Sequence, residues 1–422
     1  MKKVVAILLV IVMLFALVSC GASEAKPDTT PEAPANNDTD STPAAQPATN
    51  PAEGNTEIQS AGANDGSIGW YTDDVDHFAR DTYKVAFITM TMSTITANFS
   101  NALGIWSERI NVKYNDYCAN DDQDTFITTI ETYAAQGYNG LIVDFSDTVM
   151  RRAIDVLDEL QMPYMSGMVS ARNDDGTLAH PCLTFDMYQF GVDLYNYLMP
   201  KAKEKWGEDL DYSECGFITV DFSVVYEIKQ RADGFYDCLK AEYPELAENN
   251  YWNCDMVVQG GMSAECAYNE IAPVVSGHPE IKHWIVSGGV DDAGQGAARY
   301  FESVDRVDDA IVSCVGGETL IGEWDTGYDG CWISAYYTAQ MIYTEGIICG
   351  LVALIDGRIT PDTMWRNHVP EGEKFAKITI PSVFLEKDMY TEYLEWVDNY
   401  TGCNLFPYEY QGSDYSYTLE FR

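Results

Sequence analysis

The residues of this chain that could carry out chemistry form no recognised catalytic motif. None of the five histidines lies in an HExxH pattern, and no GxSxG pattern supplies a serine nucleophile. The glycines of GGVDDAGQG lack G-x-G-x-x-G spacing, and Asp121–Asp124 is too short for an EF-hand loop. We therefore predict that the protein is not an enzyme and holds no metal or cofactor. A carboxylate pair for glycoside hydrolysis remains the catalytic alternative, since the chain has 66 acidic residues.

The eleven cysteines do not indicate a metal site either. No CxxC pair occurs, which disfavours a zinc ribbon or a thioredoxin-like site. Several cysteines lie in apolar runs, such as Cys314 in AIVSCVG and Cys349 in GIICGLV, where a small buried side chain is typical. An exported protein could also form disulfides here, and the sequence assigns no pairs.

Polar residues follow one short apolar run closely. In AAQGYNGLIVDFSD, the run Leu141–Phe145 contains Asp144 and is followed by Ser146 and Asp147. Ligands of open parallel sheets bind beyond the carboxyl ends of strands, so these side chains could contact a ligand. Helix capping is the alternative role for Ser146 and Asp147.

These residues belong to a regular alternation of strands and helices. Apolar runs rich in β-formers predict strands at Lys84–Met90, Asn111–Cys118, Leu141–Phe145, Met162–Met165, Gly216–Val220, Cys254–Gln259, His283–Ser287 and Ala310–Gly316. Helical spacing predicts helices at Phe99–Glu108, Asp122–Gln136, Asp147–Leu160, Tyr226–Tyr243, Ala264–Ser276 and Asp291–Glu302. The alternation restarts in the middle of the chain, which predicts an α/β protein with two doubly wound parallel-sheet lobes.

The first 66 residues are predicted to lie outside this fold. Residues 1–20 have a basic start and the apolar run Val4–Val18, which is typical of a secretory signal. The sequence LVSCGAS resembles the lipobox of bacterial lipoproteins, which implies cleavage before Cys20 and its lipidation. A secreted protein with a free Cys20 is the alternative. Residues 21–66 are rich in proline and contain no aromatic residue, so we expect a disordered linker.

The charge of the chain limits its partners. It has 66 acidic and 25 basic residues, a formal net charge of -41. Such a balance disfavours nucleic acid and acidic membrane surfaces, because both are polyanions.

The ordered series of segments resembles the type I periplasmic binding proteins, in the sugar-binding subfamily of ABC importers. The resemblance is carried by GYNGLIVDFSDTVMRRAIDVLDELQMPYM, QRADGFYDCLKAEYPE, SGHPEIKHWIVSGGVDDAGQGAARYF, SCVGGETL and ISAYYTAQMIYTEGIICGLVALIDGR. It implies two lobes joined by three crossover strands, with a solute bound in the cleft between them. The implied N-terminal lobe is 83–185 plus 337–367, and the C-terminal lobe is 186–336 plus 376–388. Residues 389–422 form a tyrosine-rich extension beyond the resemblance.

The same resemblance implies a set of ligand-binding positions. They are Ser93, Thr94, Thr96, Asn98, Phe99, Arg172, Asp186, Lys229, Asp291, Glu318, Trp332 and Tyr336. Phe99 would stack on the apolar face of a sugar, with a buried core position as the alternative. Asp291 has an alternative role as a helix N-cap.

Three positions depart from the family pattern. The family commonly has Asp-Arg after the fourth strand, where this chain has Met168-Val169. Its cleft Asn and its crossover Gln are replaced by Val290 and Ala335. The usual hydrogen-bonding set for a simple pentose or hexose is therefore not reproduced.

The resemblance implies a monomeric solute-binding lipoprotein, anchored on the extracytoplasmic face of the cell membrane. It would deliver a sugar or sugar-like molecule to an ABC permease. The first alternative is a receptor for a nucleoside or signalling molecule that feeds a permease or a sensor kinase. A surface adhesin on the same fold is a more distant alternative.

Overall fold

A computed structural model describes residues 75–380 and 382–399. The predicted signal, Cys20 and the linker therefore lie outside the described residues, as does the chain beyond residue 399. Within them, no helix is long and apolar enough to cross a membrane.

The first sheet is built from four parallel strands in the order β2-β1-β3-β4. They are β1 (Tyr83–Thr89), β2 (Val112–Cys118), β3 (Gly140–Asp144) and β4 (Tyr164–Ser166). β1 and β3 are almost wholly buried because helices cover both faces of the sheet. The connecting helices are α1 (Thr94–Arg109), α2 (Gln123–Ala135) and α3 (Asp147–Glu159).

The second sheet has six strands in the order β12-β10-β9-β8-β6-β7. They are β6 (Cys215–Asp221), β7 (Tyr251–Asp255), β8 (His283–Gly288), β9 (Ala310–Val315), β10 (Trp332–Tyr337) and β12 (Val383–Glu386). Five are parallel, and β12 runs antiparallel to β10 at the edge. The helices of this lobe are α4 (Met187–Trp206), α5 (Tyr226–Glu242), α6 (Pro244–Asn249), α7 (Ala264–Gly277), α8 (Asp291–Ser303) and α9 (Glu318–Asp325).

A late part of the chain completes the first lobe. Helix α10 (Gln340–Ile355) packs against α1, β3 and β4 and is buried along nearly its whole length. Strand β11 (Lys377–Thr379) pairs with β5 (Cys182–Thr184) in a separate two-stranded parallel sheet. The Tyr343 hydroxyl of α10 donates to the carbonyl oxygens of Gly167 (2.9 Å) and Leu183 (3.3 Å), which ties this sheet to the end of β4.

The chain passes between the two lobes three times: after β5, after β10, and between β11 and β12. The stretch 376–388, expected to belong wholly to the second lobe, is divided by its strand pairing. β11 pairs with the first-lobe strand β5, and β12 pairs with β10. The lobe boundaries themselves stay a prediction.

One further segment differs from the expectations. Residues 254–259 were expected to be a strand, but β7 ends at Asp255 and Met256–Gln259 forms a 3-10 turn. The Asp255 carboxylate starts this turn by accepting the Val257 N–H at 3.0 Å. At the end of the described residues, helix α11 (Tyr390–Asp398) lies against the second lobe, with the Tyr390 ring 5.0 Å from Trp324.

Candidate functional site

A cavity of about 1000 Å³ lies between the two lobes. The ends of β1, β3, β4 and β5 form one side, and the turn after β6 together with the first half of α5 forms the other. The chain places loops here because the carboxyl ends of parallel strands meet at one edge of a sheet. The cavity is therefore built from both halves of the molecule, as a cleft that closes on a solute requires.

The polar part of the lining contains both hydrogen-bond donors and acceptors. Eight serines and threonines contribute: Thr89, Thr91, Ser93, Thr96, Ser146, Thr148, Ser170 and Thr184. Six charged residues and one amide complete the set: Asp144, Arg172, Asp186, Glu227, Arg231, Lys377 and Gln230. Such a mixture suits a ligand with many hydroxyl groups, since each hydroxyl both donates and accepts.

The Asp144 carboxylate organises the first-lobe side of the cavity. Its Oδ1 accepts the backbone N–H groups of Met168 and Val169, each at 2.8 Å. A side chain on Gly167 would collide with it, because a Cβ there would lie 2.8 Å from the Asp144 Cβ. Burial raises the pKa of Asp144 to about 6, and the two N–H donors oppose that rise.

Arg231 of α5 is the most buried cation of the cavity wall. Its guanidinium donates to the carbonyl oxygen of Gly289 and lies 3.2 Å from the Met187 sulfur. Burial lowers the pKa of Arg231 to about 10, so it remains charged at neutral pH. Among the described residues, no carboxylate lies within ion-pair distance of it.

Four of the predicted site residues line the cavity: Ser93, Thr96, Arg172 and Asp186. Ser93 caps α1 and its hydroxyl lies 2.9 Å from that of Thr96. Asp186 caps α4 by accepting the Gln189 N–H at 3.0 Å.

Arg172 donates to the Gly176 carbonyl oxygen at 2.6 Å, and its ion pair with Glu373 spans 3.6 Å. Thr94 is the first residue of α1. For all five residues, ligand contact stays a prediction.

A second group of predicted residues meets away from the cavity lining. Asp291 at the start of α8 accepts the N–H groups of Gly317 (2.8 Å) and Thr319 (3.2 Å). Burial, and then the charge of Asp291, raise the pKa of Glu318 to about 7. The nearby Asn98 side chain of α1 opposes that rise in the pKa of Glu318.

Lys229 also points elsewhere. It forms an ion pair of 2.5 Å with Asp233, one turn further along α5, and does not line the cavity. The cavity-lining cation of this helix is Arg231, two residues on. The sequence did contain a signal for it, because Arg231 opens the R-x-x-G-F motif of the resemblance.

The structure buries three predicted aromatic site residues in the cores of the lobes. Phe99 has no exposed surface and packs between Phe87 and Tyr343, with ring centroids 5.1 and 5.4 Å away. Trp332 is 1% exposed and lies directly against Gly294.

Tyr336 donates to Asp193 at 2.6 Å and stacks on Phe384. None of the three can present a ring to a ligand in this conformation.

The sequence analysis did not predict how much of the cavity lining is apolar. Eleven of its 26 residues are large and apolar: Met90, Ile95, Phe145, Met168, Val169, Phe185, Met187, Val224, Val225, Tyr226 and Ile228. Three of them, Phe185, Val224 and Val225, lie in the turn after β6 or in the lobe crossing before it. The departure at Met168-Val169 was visible in the sequence, and the structure places it in the cavity wall.

Comparison with known proteins shows which solved structures share this architecture. No protein-family model matches the chain, and no curated protein matches it. Among solved structures, a solute-binding protein of an ABC transporter from Actinobacillus succinogenes 130z, with bound D-allose, is similar. Its TM-score is 0.55 at 12% identity, over 76% of this chain and 100% of that chain.

Two further solute-binding proteins are similar at comparable levels. One is an ABC transporter protein from Bacillus halodurans C-125 with bound myo-inositol, at a TM-score of 0.51 and 13% identity, over 74% of this chain and 97% of that chain. The other is a 5-methylthioribose transporter protein from Thermotoga lettingae TMO in complex with 5-methylthioribose, at a TM-score of 0.53 and 13% identity, over 73% and 87%. These likenesses confirm the predicted α/β fold, that of the type I periplasmic binding proteins.

Proposed function

We propose that this protein is an extracytoplasmic solute-binding lipoprotein of an ABC importer. It would bind a sugar or sugar-like molecule between its lobes and deliver it to a membrane permease without chemical change. The observation that carries the proposal is the interlobe cavity, which combines eight hydroxyl side chains with charged donors and acceptors. The solved structures of the same fold support it, since their described ligands include a sugar and a cyclic polyol.

The chemistry of the cavity fits this solute class. A sugar ring presents hydroxyl edges, which need side chains that donate and accept, and apolar C–H faces, which need apolar surface. Ser93 and Thr96 on the first lobe and Gln230 on the second supply the first requirement from opposite sides. A solute held by both lobes would favour their approach, because it stabilises only the conformation in which it touches both.

The experiment that tests the proposal is native mass spectrometry of the full-length protein, purified in mild detergent without denaturation. We expect a retained mass that matches a sugar or polyol, because a closed cleft releases its solute slowly. A retained nucleoside would favour the receptor alternative instead. If neither is retained, and neither class raises the melting temperature when added, the proposal fails.

Arg172 is the site residue whose role is most directly testable. We expect Arg172→Met to weaken binding of the identified solute about 10- to 100-fold, since a hydrogen bond from a charged group contributes about 1.5–3 kcal/mol. Arg152→Met is the matched control, because Arg152 pairs with Asp124 and does not line the cavity. Calorimetric titration of both variants measures the difference.

The membrane location rests on the sequence around Cys20 alone. We expect the wild-type protein to sediment with membranes and Cys20→Ser to lose the lipid modification, as checked by fractionation and mass spectrometry. Unchanged mass in the wild type would contradict lipid anchoring. Size-exclusion chromatography with light scattering would test the proposed monomer.

A further inference from the structure

Apolar residues line the cavity from both lobes. Met168 and Val169 follow β4 on the first lobe, and Val224, Val225 and Tyr226 follow β6 on the second. All five line the same cavity of about 1000 Å³. A ligand that fills this space therefore meets apolar surface from both lobes.

At Met168 and Val169, side chains rather than backbone N–H groups are available to a ligand. Both N–H groups are already used, since they donate to Asp144 at 2.8 Å. A ligand hydroxyl placed here would lose hydration without gaining these donors, and an unpaired buried hydroxyl is costly. The two half-buried side chains thus favour an apolar group of the ligand.

The second-lobe side of the cavity leaves apolar surface in contact with water. Val224 is 67% exposed and Tyr226 is 66% exposed, and Ile95, across the cavity on α1, is 42% exposed. Exposed apolar surface around a concave site gains stability when a ligand covers it. A ligand with an apolar group would cover more of this surface than the thin C–H face of a sugar alone.

We propose that the solute is a polyhydroxy compound with an apolar substituent, such as the methyl group of a 6-deoxy sugar, an O-methyl group or an alkylthio group. This proposal rests on the proposed function and deepens it. The hydroxyl and charged side chains hold the polyhydroxy part of the solute. Met168 and Val169 on one side, with Val224 and Tyr226 on the other, enclose the substituent.

The test uses matched pairs of probes on the full-length protein in mild detergent. The pairs are D-ribose with 5-methylthio-D-ribose, D-allose with 6-deoxy-D-allose, and myo-inositol with its mono-O-methyl ether. We expect the substituted member of at least one pair to bind at least about fourfold tighter, the gain from burying one methyl-sized apolar group, as measured by calorimetric titration. Equal or tighter binding of the unsubstituted member in every pair that binds would overturn this proposal and leave the proposed function standing.

If no member of any pair binds and native mass spectrometry retains no sugar or polyol, the proposed function fails and this proposal fails with it. If none binds but a sugar or polyol without an apolar group is retained, only this proposal fails. Site variants locate the substituent. Met168→Gln and Val169→Thr keep the size of the side chains while adding polar atoms, so they should remove the preference for the substituted probe. Met162→Gln is the matched control, because Met162 is half-buried in the same lobe and does not line the cavity. Variants that bind both members as the wild type does would place the substituent elsewhere and overturn the assignment to this wall.

Discussion

Phe99 has a structural role at the point where the first loop of the fold enters α1. Its ring packs against Phe87 of β1 and Tyr343 of α10, so it joins an early strand to a late helix. Tyr343 in turn reaches the ends of β4 and β5 through its hydroxyl. The aromatic cluster therefore joins β1, α1 and α10 in the core of the first lobe.

Replacement of Phe99 by alanine should cost the protein stability. We expect Phe99→Ala to lower the free energy of unfolding by about 3–5 kcal/mol, because it leaves a cavity in a fully buried cluster. Solute affinity per folded molecule should change less than it does in Arg172→Met. Chemical denaturation with calorimetric titration measures both quantities.

Phe78→Ala is the control for this experiment, since Phe78 is 68% exposed and its loss should cost less than about 0.5 kcal/mol. A stable Phe99→Ala protein that has lost binding would contradict the core assignment.

The Asp144 carboxyl makes the stability of the protein depend on pH. Because burial raises its pKa to about 6 from 3.8, the folded protein binds more protons than the unfolded chain between about pH 4 and 6. The free energy of unfolding should therefore fall as the pH rises through this range, by up to about 3 kcal/mol from this group. Burial likewise raises the pKa of Asp221 to about 6, which adds a change of the same sign.

The variant Asp144→Asn tests this assignment. The amide oxygen can still accept the two backbone N–H groups, but the group no longer titrates. We expect denaturant melts of the variant between pH 4 and 7 to show a shallower fall in stability than the wild type. Glu131→Gln, at an exposed position of α2, should leave the wild-type profile unchanged. An identical slope in Asp144→Asn and wild type would show that Asp144 does not titrate in this range.

At the scale of elements, helices α4 and α5 determine where the second wall of the cavity lies. They cross with direct backbone contact at two glycines. A Cβ on Gly191 would lie 1.9 Å from the Arg231 carbonyl oxygen, and a Cβ on Gly234 would lie 2.1 Å from that of Tyr188. Any side chain here would push α5 outward, and α5 carries Tyr226 and Arg231 into the cavity.

We expect Gly234→Ala to lower the free energy of unfolding by about 1–3 kcal/mol and to weaken solute binding, because overpacking displaces α5. Gly322→Ala in α9 is the matched control. Nothing lies within 4 Å of its Cβ position, so it should stabilise the protein by about 0.5–1 kcal/mol through helix propensity. Thermal melts and calorimetric titrations of the two variants measure both effects. A Gly234→Ala protein as stable as wild type would contradict the close packing of α4 and α5.

The elements themselves were largely predictable from the sequence. β1, β3, β6, β8 and β9 are continuous apolar runs because helices cover both faces of their sheets, and such runs are easily recognised. The strand β7 was placed too late, since the apolar residues Met256–Val258 follow it in a 3-10 turn. Near an edge strand, an apolar run can include residues of the adjoining turn, because these residues pack against the core as the strand does.

The cavity residues were harder to predict for a physical reason. A core phenylalanine and a stacking phenylalanine have the same side chain, and only the position of Tyr343, some 240 residues away, decides the role of Phe99. Arg231 and Lys229 lie on one helix two residues apart, and a rotation of about 200° separates their directions. Such differences depend on tertiary packing, which the local pattern does not contain.

At the scale of the whole molecule, charge repulsion opposes the folded state. The net charge of -41 is spread over a chain in which acidic residues outnumber basic ones by 66 to 25. Added salt screens this repulsion, since the Debye length falls to about 10 Å at 0.1 M. Screening should lower the free energy of the folded state more than that of the unfolded chain, because folding brings the charges closer together.

We therefore expect the melting temperature to rise by a few degrees between 10 mM and 300 mM NaCl, as measured by differential scanning calorimetry. Sucrose at matched osmolality separates screening from solvent exclusion. A melting temperature that falls with NaCl would indicate that favourable ion pairs outweigh the repulsion.

The late segments of the first lobe have a consequence for biosynthesis. α10 covers one face of the first sheet, and β11 is the only partner of β5 within the described residues. A ribosome makes residues 340–379 after the whole second-lobe core up to β10. The nascent first lobe therefore stays incomplete until translation is nearly finished.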